Sequence, residues 1–315
     1  MPAHQKRRTP GRLETSAVKE AFEAFLTGER GLSVASKVSY WFVVRRFLAA
    51  CGAGRRKFDP AALGPTQVTD FLVRHAAEVR ARTLQTMASA LRSFLRFLFR
   101  RGWTAMDLSS SVLTPRSWRD AALPRYLPAD DVDRLVQSCD LSTRIGRRDH
   151  AILLLQARLG LRATEVVALR LDDIDWRAGE ILVRGKGQFH DRLPLPHDVG
   201  AALAAYLRDR QGSTRRAFVR ATGTPLPFTD GQAINQVLRR ALERTGVRMP
   251  GKWIGSHVFR HSLATTMIRR GASLAEIGDV LRHRSADTTT IYAKVDVEGL
   301  RSIARAWPLA TGGRP

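Results

Sequence analysis

The chain has 315 residues, 44% of them hydrophobic, which is enough for two ordinary domains with real cores and too apolar for a disordered protein. Its 52 lysines and arginines against 29 acidic residues leave a formal charge of +23, pointing to a polyphosphate partner: nucleic acid before an anionic membrane surface. An arginine-rich proteome would account for part of that excess without any partner. No stretch reaches the roughly 20 continuous apolar residues of a membrane span, and the N-terminal "MPAHQKRRTPGR" lacks the apolar centre of a signal peptide, so no membrane association and a cytoplasmic location are expected. Cys51 and Cys139 fit no metal spacing and read as small buried side chains.

Residues 1–13 are basic and aperiodic, a flexible arm suited to lie along phosphates. Over residues 14–106 four helices are expected. "SAVKEAFEAFLTGER" sets Val18, Phe22, Phe25 and Leu26 on one stripe; "SVASKVSYWFVVRRFLAACG" ends at Gly52; "GPTQVTDFLVRHAAEV" starts at Pro65. In "ARTLQTMASALRSFLRFLFRRG", Leu84, Ala88, Leu91, Leu95 and Leu98 form the apolar face, with Arg82, Arg92, Arg96 and Arg100 largely off it. Such a bundle with a basic outer surface suits a DNA-binding domain. Periodicity then vanishes, and a linker is placed at 107–124.

The second domain, 125–315, opens with a helix in "LPADDVDRLVQSCD", followed by helices in "DHAILLLQARLG" and "RATEVVALRLDDID" separated at Gly160. "GEILVRGKGQFHDRLPLP" changes to a β-hairpin period around Gly-Lys-Gly. Helices return in "DVGAALAAYLRDR", "GQAINQVLRRALERTG", "HVFRHSLATTMIRRG" and "LAEIGDVLRHR", and Val297, Leu300, Ala304 and Trp307 keep helical spacing near the C-terminus. The fold class is therefore mainly α with a small β-sheet (α+β).

Arg162 beside Gly160 at a helix mouth, Lys186 between two glycines, His257 and Arg260 one turn apart, His283 and Tyr292 are candidate site residues. Each has an ordinary explanation alone: a salt-bridge partner of Glu165 for Arg162, a solvated turn for Lys186, a half-buried aromatic for Tyr292. His257 and His261 are spaced like a zinc pair, but no HExxH glutamate or third ligand accompanies them.

Together, "ARLGLRATEVVALRLDDID", "GKGQFHDRLPLP" and "HVFRHSLATTMIRRGASLAEIGDVLRHRSADTTTIYAKV" resemble the tyrosine recombinase (phage integrase) family, including its Xer-like members, across the whole second domain. The helical first domain is similar to that family's core-binding domain. The resemblance implies catalytic roles for Arg162, Lys186, His257, Arg260, His283 and Tyr292, with Glu165 supporting Arg162. The sequence departs from the family's commonest pattern at Arg282, where glycine often precedes the second histidine, and at Lys294, where histidine often follows the tyrosine.

The residue types suit DNA phosphoryl transfer. A phenol forms a phosphodiester yet leaves more readily than a sugar alkoxide, so the covalent 3′-phosphotyrosyl intermediate is reversible without ATP. Two guanidiniums clamp the charge on the phosphoryl oxygens; Lys186 is the candidate general acid, His257 the proton acceptor and His283 a donor to the phosphate. With no carboxylate cluster of suitable spacing, the site is read as independent of metal and of any cofactor. The expected partners are double-stranded DNA, further copies of the chain forming a tetramer on paired sites at the nucleoid, and related recombinases. The C-terminal helix would dock on a neighbour or cap its own domain. The polar "SADTTT" run is expected to carry Tyr292 away from the core. Two other readings stay open: an inert accessory DNA-binding protein of a recombinase set, and a type IB topoisomerase.

Overall fold

The computed structural model describes residues 11–52, 57–113, 125–185, 190–249, 255–283 and 285–295. The chain divides into two compact units, Met1–Arg119 and Asp120–Pro315.

In the first unit a short strand, β1 (Leu13–Glu14), leads into α1 (Thr15–Gly28) and α2 (Val34–Ala50); β2 (Lys57–Phe58) pairs back antiparallel onto β1, and α3 (Pro65–Ala76) and α4 (Ala81–Arg100) follow. The apolar face read from the α4 sequence is the one that is buried: Leu84, Ala88, Leu91, Leu95 and Leu98 all lie in the core. Around them Phe94 meets Phe22 edge-on at 5.2 Å, and Phe97 contacts Phe25 and Trp103. The basic side of α4 is partly engaged within the unit: Arg92 donates to the Val112 carbonyl, Arg96 to Ser109 and Arg100 to Glu29. The first two of those bonds, with Leu108 and Val112 buried in the same core, fold residues 108–112 onto the first unit, so the stretch read as linker begins as part of it. Its continuation, 114–124, lies outside the described residues, as do most of the basic arm and the C-terminal helix.

The second unit is built on α6 (Arg144–Leu159), which follows α5 (Ala129–Gln137) and is buried along Ala151–Leu155. Next come α7 (Ala163–Ala168) and a three-stranded antiparallel sheet in the order β3 (Ile174–Asp175), β4 (Glu180–Arg184), β5 (His190–Pro194). α8 (His197–Arg208), α9 (Gln232–Thr245), α10 (His257–Arg269), α11 (Leu274–Val280) and α12 (Ala286–Thr289) complete it, with a 3-10 turn over Thr290–Val295. A buried carboxylate, Asp149 on α6, takes Arg148 and Arg240 and so binds α6 to α9.

Two helices are shorter than their sequences imply. α7 stops at Ala168 because the following backbone pairs elsewhere: Ala217 N–H donates to Leu169 O and Leu171 N–H to Arg215 O, so the "LDD" that follows forms a 3-10 turn into β3. α11 ends at Val280 because Arg282 turns left-handed, with φ 55°. Gly160 ends α6 at φ 59°, where a Cβ would stand 2.8 Å from Leu281; the missing side chain lets the end of α6 abut α10 and the turn after α11, which is where the site lies.

Replacing Phe94 by alanine should lower stability by about 3 to 5 kcal/mol, read by urea denaturation of the whole chain. A loss below about 1 kcal/mol would show that the aromatic cluster is not the centre of this core.

Candidate active site

Arg162 occupies the residue before α7. Its backbone N–H donates to Glu165 Oε2 at 2.9 Å and its Nη1 to Glu165 Oε1 at 2.7 Å, while a third of the arginine side chain stays open to solvent. Glu165 itself is buried and also accepts Arg282 Nη2 at 2.9 Å. Burial alone would raise its pKa, but the Arg282 charge, the Arg162 N–H and the Arg162 guanidinium outweigh it and hold the carboxyl below its ordinary range.

Arg260, on the buried side of α10, donates Nη1 to the Gly160 carbonyl at 2.8 Å and Nη2 to that of Leu281. It is thereby pinned between the end of α6 and the turn after α11. Burial, then repulsion from Arg162 and Arg282, brings its pKa down to about 10, so it remains charged at neutral pH. His257 opens the same helix. Desolvation by the protein around its ring, then the charges of Arg162 and Arg260, hold it below the ordinary histidine value, which leaves it free to accept a proton.

The His283 N–H donates to Gly278 O at 2.8 Å, and its Nδ1 shares a 2.7 Å hydrogen bond with Thr289 Oγ1. Burial, reinforced by Arg260, Arg162 and Arg282, pushes its pKa down to about 4. Opposite this turn runs β5, with His190 and Arg192 facing Arg282 and His283 across an open cleft of about 410 Å³. β4 is anchored at its end by Arg184, bonded to the buried Asp173 carboxylate. Lys186, two residues on, lies outside the described residues.

Tyr292 contradicts one expectation. The polar run does not free it from the core: it is 1% exposed and sits among Ala264, Ile268, Ile277 and Leu281. The reason is that the run is not uniformly outward. Thr289 is itself buried, with its hydroxyl on His283, and the 3-10 turn that follows brings Tyr292 inward with its ring stacked on that of His283 at 6.2 Å. The hydroxyl meets His261 Nδ1 at 2.9 Å. Burial raises the phenol to about 12 against the opposing pull of Arg260 and Arg162.

His261, which the sequence pattern marks only as half of a zinc-like pair, is the residue that meets the Tyr292 hydroxyl. Among the described residues no group of three metal-binding side chains converges. The available signal was its place beside Arg260, four residues after His257, on a helix whose other members carry the site.

Residues 125–298 match the phage integrase family and residues 20–102 the phage integrase N-terminal SAM-like domain. The chain belongs to the phage integrase family. It is a tyrosine recombinase, an enzyme class that breaks and rejoins DNA. It is 45% identical to y4rA of Sinorhizobium fredii over 92% of this chain and 70% of that protein. It is also 31% identical to the tyrosine recombinase XerD of Listeria monocytogenes, over 90% of this chain and 96% of XerD. Its fold is shared with the XerH site-specific recombinase in a post-cleavage complex on difH (TM-score 0.66, 18% identity, 90% of this chain and 83% of that one). It is shared equally with a lambda integrase dimer on a core site (TM-score 0.66, 15% identity, 95% and 81%).

In this recombinase, five of the six residues assigned by resemblance fall in the described structure and converge through shared partners and mutual charge: Arg162, His257, Arg260, His283 and Tyr292. Folding keeps His261 and His283 neutral, with pKa near 4 where an unfolded histidine titrates near 6.5. Below pH 6.5 the unfolded chain therefore binds more protons than the folded one, and stability is full above that pH and declines toward 4. The urea midpoint should fall between pH 7 and pH 5, and His261→Gln should flatten the fall; an unchanged slope in that variant would contradict the buried neutral imidazole.

Proposed function

We propose that Tyr292 is the nucleophile of this recombinase and that Arg162, Arg260 and His283 receive the scissile phosphate of DNA. The observation that carries this reading is the Tyr292 hydroxyl hydrogen-bonded to His261, on the helix that also bears His257 and Arg260, with its ring stacked on that of His283. The phenolic oxygen attacks phosphorus, the bond to the 5′-oxygen breaks, and its electron pair leaves with that oxygen, which takes a proton from Lys186. A 3′-phosphotyrosyl bond now stores the energy of the phosphodiester, and a 5′-hydroxyl attacking in reverse rejoins the strand. Arg162 and Arg260 stabilise the charge gathered on the non-bridging oxygens.

The histidines divide the proton work. If the Thr289 hydroxyl donates to His283 Nδ1, the neutral ring carries its proton on Nε2 and can offer it to the phosphate. His261 holds the resting phenol, and His257, neutral at pH 7, accepts the proton when the tyrosine enters the phosphate pocket. A phenol raised to about 12 and shut from solvent is unreactive, so DNA binding must shift the Tyr292 segment before the strand is cut.

The first unit is assigned to duplex binding together with the basic arm, the second to catalysis, and the C-terminal helix beyond Val297 to docking on a neighbouring copy. Lambda integrase, whose fold is shared, has been seen as a tetramer on a Holliday junction. By that analogy four copies of this chain act on two paired sites, in the cytoplasm and at the nucleoid. No helix among the described residues is long and apolar enough to cross a membrane.

On a nicked suicide duplex, Tyr292→Phe should bind as the wild type does but form no covalent protein–DNA species, and chelator should leave the wild-type yield unchanged. A covalent species from the phenylalanine variant would exclude Tyr292, and loss of cleavage in EDTA would exclude metal-free chemistry.

A further inference from the structure

Among the described residues, a positive φ outside glycine occurs at Arg282. A left-handed backbone is unfavourable for an arginine and natural for the glycine often found at this place in the family, so the side chain must contribute something to hold it there. Its contacts are specific. Nη2 donates to Glu165 Oε2 at 2.9 Å, and Nη1 reaches the carbonyls of Leu159 and Val280 at 3.4 and 3.3 Å. One planar fork thus joins the end of α6, the carboxylate under Arg162, and the turn that carries His283.

Resting on the assignment of Arg162 and His283 above, we propose that Arg282 is a positioning residue for the strand-transfer site: it fixes the Glu165 carboxylate and, through it, the Arg162 guanidinium and the His283 turn. A direct role on the phosphate does not fit, because the Arg282 side chain is only 5% exposed whereas that of Arg162 is 34% exposed. The charge balance around Glu165 points the same way. Glu165 alone would neutralise Arg162 with a bidentate pair and draw it down; with Oε2 shared by Arg282 and the Arg162 N–H, only Oε1 faces the Arg162 guanidinium. Part of the Arg162 charge is left for an incoming anion. The groups facing this carboxylate are Arg162 from the start of α7, Arg282 from the turn after α11, and His257 and Arg260 from α10.

The test is the single-turnover rate of covalent-species formation at saturating suicide duplex, measured beside the dissociation constant for the same DNA. Arg282→Gly, which suits the left-handed backbone, should slow cleavage on the order of tenfold to a hundredfold with affinity held within about twofold. Arg282→Lys, keeping the charge without the fork, should fall between the two. In a Glu165→Gln background the glycine change should add little, since both act through one carboxylate. A wild-type rate in either Arg282 variant would overturn the proposal. So would an equal loss of affinity, which would make Arg282 a DNA ligand, or losses that multiply with those of Glu165→Gln. Should Arg282→Gly melt well below the wild type, the lysine variant carries the decision alone. Failure of the wild-type chain to form the covalent species would instead sink the assignment of Tyr292.

Discussion

Three guanidiniums, those of Arg162, Arg260 and Arg282, are gathered around one buried carboxylate, Glu165, and the excess positive charge this leaves is the condition on which the rest of the site depends. Burial, then the repulsion of Arg162 and Arg282, brings the Arg260 pKa down to about 10. The fold holds them by giving each a fixed set of oxygens: Gly160 and Leu281 carbonyls for Arg260, Glu165 for Arg162, Glu165 with two carbonyls for Arg282. On the proposed reading, the third of the Arg162 side chain left open to solvent is the place for a phosphate. The glycine that ends α6 belongs to the same constraint, since a side chain there would push α6 away from the turn that Arg260 and Arg282 both grip.

Against this charge the proposed nucleophile is kept covered. Tyr292 is packed among aliphatic side chains, stacked on His283 and bonded to His261, in an environment that favours the neutral phenol. The two features complement one another. A pocket permanently rich in positive charge would draw any polyanion, and in the mechanism proposed above withholding the phenol ties bond breaking to a rearrangement that DNA has to bring about. Thr289 links the parts, because the hydroxyl that turns the Tyr292 segment inward is the one that orients His283.

Much of the fold was legible in local patterns. The α4 face from Leu84 to Leu98 is an unbroken helical stripe, Pro65 starts its helix, and Gly160 and Gly246 close theirs in left-handed conformations. Order and spacing single out Arg162, His257, Arg260, His283 and Tyr292 as candidates, and folding brings these five into one region. What escaped depends on partners distant in sequence. The early end of α7 comes from pairing of residues 169–171 with 215–217, and the inward turn of Tyr292 from a cluster drawn from α10 and α11. The Arg282–Glu165 bond spans 117 positions, so the sequence could show that Arg282 departs from the common glycine but not what its guanidinium does.

The proposed strand transfer makes one covalent bond between protein and DNA, and locating that bond on the chain tests it most directly. Trypsin cutting after Arg284 and Lys294 would release residues 285–294 as a single peptide containing Tyr292. Mass spectrometry of the species trapped on a suicide duplex should place the nucleotide on that peptide, with fragmentation assigning it to the tyrosine. A nucleotide found on any other tyrosine, or on a serine or threonine, would contradict the account.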